Sequence, residues 1–204
     1  MDGTVHNDDR PYNEQLDSII TSTNNTYAMV AKAFDLRDGT GGRAIDKQAA
    51  YDLFVRAANG GDIEALYQVG MAHYRGHLGR NKNVPVGVRC LKLACRYRHP
   101  MSNFVMAEHN EIIGNVKKDV EERRVTEYAS NYGLAVKLYT NAACYGCELA
   151  VFRVHQLWKR GGWTNDRGFE RAQTGYLRFL ENVRGTESGR RMRVAGEDFI
   201  GRYY

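Results

Sequence analysis

The stretch AANGGDIEALYQVGMAHYRG, Ala57 to Gly76, holds a pair of small residues, two glycines, an acid and then a run of small and apolar residues at helical spacing. Overlaying the chain on itself gives this stretch a wider frame. Three segments align: DKQAAYDLFVRAANGGDIEALYQVG from Asp46, NVPVGVRCLKLACRYRHPMSNFVMA from Asn83, and NYGLAVKLYTNAACYGCELAVFRVH from Asn131. Each opens on Asp or Asn, carries a small residue four positions on (Ala50, Gly87, Ala135), and reaches a small pair at Ala57-Ala58, Ala94-Cys95 or Ala142-Ala143. Self-similarity at this period is the signature of a repeat protein.

The pattern is helical. Asp or Asn at a helix start accepts a hydrogen bond from a first-turn N–H that has no partner in the helix, so Asp46, Asn83 and Asn131 are read as N-caps. Pro85 fits just inside the second start. Ala50, Leu53, Phe54 and Ala57, like Ala135, Leu138, Tyr139 and Ala142, form one apolar stripe. Gly61 and Gly146 supply the positive φ that ends a helix without Cβ strain. A second helix follows, with Ala65, Val69, Gly70 and Tyr74 in one copy and Ala150, Val154, Leu157 and Trp158 in another. Gly70, costly in a helix by about 1 kcal/mol, signals close packing, and Ala107 takes its place in the next copy. Loop glycines close these helices at Gly76, near Gly114, and at Gly161-Gly162.

The fold expected is therefore all-α, an α-solenoid of antiparallel helix pairs that bury their faces against neighbours. About four units fit, at 24–60, 61–97, 98–145 and 146–185, with an eleven-residue excess in the third at 115–130. Residues 1–23 form a polar N-terminal extension, and 186–204 a basic C-terminal capping helix or tail.

On these residues the chain resembles the Sel1-like repeat family, part of the tetratricopeptide-like superfamily. The marks are Ala-Ala-x-x-Gly at the turn, Ala and Leu-Gly in the next helix, and Tyr-x-x-Gly before a loop. Ala57 to Gly76 matches almost every position. AACYGCELAVFRVHQLWKRGG keeps the turn, Ala150 and the loop glycines but has Val154-His155 for Leu-Gly. The middle copy has Arg98 in the glycine place and Ser102 in the alanine place, although Pro100 marks a helix start. The resemblance implies adaptor or scaffold work in a multiprotein complex, as a subunit or assembly factor, without catalysis. Some secreted members of the family staple each unit with a disulfide from the second small-pair residue to the helix alanine, and no unit here has both cysteines.

Composition agrees with a globular chain: 43% hydrophobic and 26% charged over 204 residues, with three prolines. The acid-rich start has neither the basic region nor the apolar core of a secretory signal, and no run suits a membrane span. A cytoplasmic protein is expected, or one of a mitochondrial or other organelle lumen if the chain is a processed form. The net charge of +5 falls entirely in residues 153–204, with eleven Lys/Arg against six Asp/Glu, while 1–152 balance. Arg190, Arg191 and Arg193 are thus a candidate nucleic-acid contact. The alternative they raise is an RNA-associated helical repeat of an organellar ribonucleoprotein or other mitochondrial complex.

The chemistry candidates read as structural. Cys144-x-x-Cys147 lies at a helix end and turn, where the negative dipole end disfavours a thiolate. With Cys90 and Cys95 it offers four sulfurs, but Cys90 sits where Leu53 and Leu138 stand in the other copies. GTGG at Gly39 follows no strand, so it is a poor phosphate cradle. The six histidines lack paired metal spacing. No cofactor, metal or catalytic residue is expected. Partner binding is assigned instead to the opening helices, the first of each pair, which usually line the concave face. Subtracting core positions there leaves Gln68, Met71 and Arg75, then Val105, Glu108 and Ile112, then Arg153, Gln156 and Arg160, a mix suited to a protein partner. The 115–130 insertion, with Asp119 and Arg123 able to pair, is a second candidate element, read as a loop or short exposed helix.

Overall fold

The computed structural model describes residues 10–120, 125–159 and 166–182, and all secondary structure among them is helical. The helices are α1 (Tyr12–Thr23), α2 (Thr26–Asp38), α3 (Lys47–Asn59), α4 (Ile63–Arg75), α5 (Val84–Arg96), α6 (Pro100–Val120), α7 (Val125–Cys144), α8 (Glu148–Lys159) and α9 (Asp166–Asn182). The chain divides into two compact units, the first ending at Ala94 and the second beginning at Cys95.

One turn recurs between a closing helix and the next opening helix. A residue with positive φ stands at Asn24 (52°), Gly61 (93°), Arg98 (62°) and Gly146 (100°), so the first three lie 37 residues apart and the last 48. The small pair explains itself here. The Gly61 N–H donates to Ala58 O, Arg98 to Cys95 O and Gly146 to Ala143 O, each at 3.0 Å. Asp62 N–H donates to Ala57 O at 3.0 Å and Cys147 N–H to Ala142 O at 2.9 Å. The last carbonyls of the closing helix, orphaned by its ending, are thereby satisfied. Side chains big enough to shield those carbonyls would block the fold-back, and Ala57, Ala94, Ala142 and Ala143 are fully buried.

The residue after the turn caps the next helix. Asn25 Oδ1 accepts from Ala28 N–H at 3.1 Å, and Asp62 Oδ1 from Ala65 N–H at 2.8 Å. In the third copy His99 does the same, its Nδ1 accepting from Ser102 N–H at 3.1 Å with Ser102 Oγ 3.0 Å away. The backbone N–H can only donate, so Nδ1 is the unprotonated nitrogen. This settles how a buried Ser102 takes the alanine place: its hydroxyl is paired with the capping imidazole. Arg98 adopts the left-handed conformation that the missing glycine leaves to it.

In the first unit, Asp46 and Asn83 are N-caps as read, with Ala49 N–H to Asp46 Oδ1 at 2.9 Å and Val86 N–H to Asn83 Oδ1 at 3.2 Å. Phe54, fully buried, meets Phe34 edge-on at 5.2 Å between centroids, under the alanines of α2, α3 and α4. Helix α5 lies close on α4: a Cβ at Gly87 would sit 2.6 Å from Tyr74 N, and one at Gly70 would sit 3.1 Å from Leu91 Cγ. Residues 12–23 of the polar extension are helix α1, which buries Leu16 and Ile20 against α2. Arg43 Nη2 donates to Asn13 O at 2.8 Å and to Asp17 Oδ1 at 3.0 Å, and Lys32 reaches the same carboxylate at 2.7 Å.

The second unit corrects three readings. Asn131 is inside α7 and not its cap, and Gly114 is inside α6, where a Cβ would come 3.0 Å from the Tyr132 ring. The excess at 115–130 is neither a loop nor a separate helix along most of its length: its backbone carries α6 on to Val120 and starts α7 at Val125. Helix continuation pairs backbone groups internally up to the last turn of each helix, which a structureless loop of that length does not. Tyr139, fully buried, packs edge-on to Phe104 at 5.4 Å. Gly175 of α9 sits on Cys144, whose sulfur would overlap any Cβ there. Residues 160–165 and 183–204, including Gly161-Gly162 and the expected capping helix, lie outside the described residues.

Two substitutions separate backbone strain from packing. Gly87→Ala adds helix propensity worth up to about 1 kcal/mol but drives a methyl into the Tyr74 backbone, so a net loss of about 1–2 kcal/mol is expected in urea unfolding. Arg98→Gly relieves the left-handed strain and is expected to raise stability by about 1 kcal/mol.

Candidate partner-binding surface

The opening helices carry the residues assigned to binding, but they are packed more widely than one apolar stripe implies. In α4 every residue from Gln68 to Ala72 is buried. Gln68 and Met71 are therefore interior, with Gln68 Nε2 donating to Glu64 Oε1 at 2.7 Å, and only Arg75 of that set is exposed. In α6 Val105 is buried, Glu108 half-buried, and Ile112 57% exposed. Arg160 lies outside the described residues, as do Arg190, Arg191 and Arg193 and the side chains of Asp119 and Arg123.

Arg153 does not offer itself to a partner. Its Nη2 and Nε hold both oxygens of Glu111, at 2.6 and 3.1 Å, and its Nη1 donates to Gln156 Oε1 at 2.8 Å. Tyr139 Oη donates to Glu111 Oε2 at 2.9 Å. Glu111 is only 5% exposed, so this bidentate pair, charge-assisted and hydrogen-bonded on a third side, ties α6, α7 and α8 together. Burial, with the Glu111 charge beside it, pushes the Tyr139 phenol well above its ordinary value and keeps it a donor. Arg153 and Gln156, expected from the sequence to face a partner, belong instead to the frame that holds the helices. No periodic signal joins residues 111, 139 and 153, so the sequence does not announce the network.

The other polar groups singled out by the sequence are also occupied from within. The glycine loop after α2 wraps a carboxylate of its own chain: Thr40 Oγ1 donates to Asp35 Oδ1 at 2.7 Å, and a Cβ at Gly41 would strike Asp35 Oδ2. A phosphate would meet that anion. His73 Nε2 lies 2.9 Å from Tyr51 Oη, with the Arg80 guanidinium over the Tyr51 ring at 4.6 Å.

The cysteines sit in surroundings that favour the thiol. Cys147 is the residue before α8, at the positive end of that helix rather than a negative one, which corrects the reading of its position. Burial nonetheless pushes its thiol up, outweighing the pull of the Ala150 and Leu149 amides. Burial likewise raises Cys144 and Cys90, and takes Cys95 up to about 11. Among the described residues no three His, Cys, Asp or Glu side chains are grouped to hold a metal, and no helix is long and apolar enough to cross a membrane.

Comparison with solved structures places this arrangement. A Sel1 repeat protein from Oxalobacter formigenes superposes with a TM-score of 0.59 at 21% identity, covering 85% of this chain and 66% of its own. The chain has the Sel1-repeat fold. An Escherichia coli protective antigen of the SLR fold, c5321 of uropathogenic strains, aligns at 16% identity with a TM-score of 0.43, over 86% of this chain and 49% of the antigen. Among curated proteins, chitin synthase regulatory factor 3 of Schizosaccharomyces pombe (strain 972 / ATCC 24843) is 24% identical over 132 residues, 62% of this chain. The match spans 13% of that protein's length. No protein-family model matches.

In the Sel1-repeat frame, the Glu111–Arg153–Tyr139 network is a brace between successive helices and is expected to behave as one unit. Tyr139→Phe should cost about 1.5–3 kcal/mol and Glu111→Gln about 3 kcal/mol in urea unfolding. The double variant should fall short of the sum, because the phenol acts through the carboxylate; additive losses would show the two to be independent.

Proposed function

We propose that this chain is a non-enzymatic protein-binding scaffold, serving as a subunit or assembly factor of a multiprotein complex. The Sel1-repeat fold carries the reading: stacked helix pairs present long side-by-side helical surfaces, and such surfaces serve to hold other proteins. A curated protein similar to this chain over 13% of its own length is named chitin synthase regulatory factor 3, and a regulatory name agrees with this reading. The chemistry-bearing groups add support, since Glu111, Arg153, Asp35 and His99 are engaged in holding helices and turns. The accessible remnant of the opening helices is the binding surface: Arg75 at the end of α4 in the first unit, and Ile112 on α6 in the second. An exposed isoleucine on a helix face fits a partner helix or peptide that supplies an apolar anchor.

The test is quantitative affinity purification of the intact chain followed by measured Kd for each partner recovered. Ile112→Asp is expected to weaken binding at least about tenfold without loss of helicity, and Arg75→Glu to weaken any partner held by the first unit. Arg153 variants are unsuitable, since they disturb the brace. Unchanged affinities in both variants would reject the surface, and the absence of any saturable protein partner would reject the scaffold reading.

A further inference from the structure

From Ala65 to Ala107 the sequence contains no Asp or Glu, whereas the chain's average frequency would place about five there; the same stretch holds seven Arg and Lys. The balance of charges across residues 1–152 conceals this, because acids before and after the stretch offset it. Helix α5 lies within it and has no acid and no aromatic residue of its own. Its inner face buries Gly87, Leu91 and Ala94. Its outer face carries Arg89, Lys92, Leu93 and Arg96, all exposed, at the i, i+3, i+4, i+7 spacing that puts them on one side of a helix.

Surface cations ordinarily sit among carboxylates. Among the described residues none forms an ion pair with Arg89, Lys92 or Arg96. Between them Leu93 is 41% exposed, an apolar side chain in the middle of a cationic stripe. The stripe runs roughly 10 Å along the helix axis, the length of two helical turns of a partner.

We propose that the outer face of α5 docks an acidic amphipathic segment of a protein partner, its carboxylates on Arg89, Lys92 and Arg96 and an apolar side chain over Leu93. This deepens the scaffold reading by giving one partner its chemistry, and it rests on that reading. A protein segment fits better than nucleic acid. Leu93 wants an apolar group at the centre of the charges, whereas the exposed ring of Tyr97, on which a base could stack, stands past the end of α5 and not between the cations.

The intact chain is titrated with a labelled synthetic peptide of helical Glu and Leu pattern, with its Glu→Gln counterpart, and with a single-stranded RNA of equal charge, all at low and moderate salt. The Glu peptide is expected to bind at low salt and weaken as salt rises. R89E/K92E should lower its affinity about tenfold and Leu93→Ala several-fold, with circular dichroism unchanged because all three positions are on the surface. Failure of the Glu peptide to bind, equal binding of the Gln peptide, or indifference to R89E/K92E overturns the proposal. RNA binding that exceeds peptide binding and is lost in R89E/K92E overturns it in favour of nucleic acid. A failure here leaves partners held through Arg75 or Ile112 untouched, so the scaffold reading stands or falls separately.

Discussion

Among the described residues, the passage from one helix pair to the next depends on how a closing helix releases its last carbonyls and lets the next helix begin within three residues. The carbonyls of the small pair must be reached by the backbone N–H groups that follow, and only a left-handed residue turns the chain sharply enough to bring them there. The next residue must then cap a new helix. Gly61 with Asp62, Arg98 with His99 and Gly146 with Cys147 solve this with three different chemistries, while Asn24 with Asn25 turns the chain with the Asn24 N–H on Ile20 O instead. The backbone geometry is held while the side chains that secure it change.

This explains what the sequence made legible. Constraints on backbone approach leave small residues at fixed positions, so the pair at Ala57-Ala58, the glycine at Gly61 and the close contact at Gly70 are visible in one chain read against itself. Where the same geometry is met by an unusual residue, the signal fades. Arg98 and Ser102 look like defects in the motif, yet Arg98 takes the required φ and His99 supplies both the cap and the partner for Ser102. Length excess is equally mute: eleven extra residues do not say whether they make a loop or prolong two helices.

Surface residues leave a fainter mark in the sequence. A single apolar stripe, subtracted from an opening helix, leaves the remainder looking exposed, but the middle of α4 is enclosed on all sides and takes Gln68 and Met71 with it. Arg153 illustrates a second obstacle, because its partner Glu111 is 42 residues away in sequence. A charged residue on a helix face advertises a contact without saying whether that contact is inside the molecule. The charge of α5 is a third case: a sum over a long segment hid a local excess that a shorter window reveals.

The prolonged third pair changes where distance can be created in such a molecule. Helix α6 has 21 residues and α8, in the same unit, has 12, a difference of roughly 13 Å along the axis. The extra turns lie at the end opposite Arg98 and Gly146, so the stacking geometry near those two residues is set independently of how far the hairpin extends. Turns added to both helices at that end would lengthen α6 and α7 and leave the junctions at Arg98 and Gly146 in register.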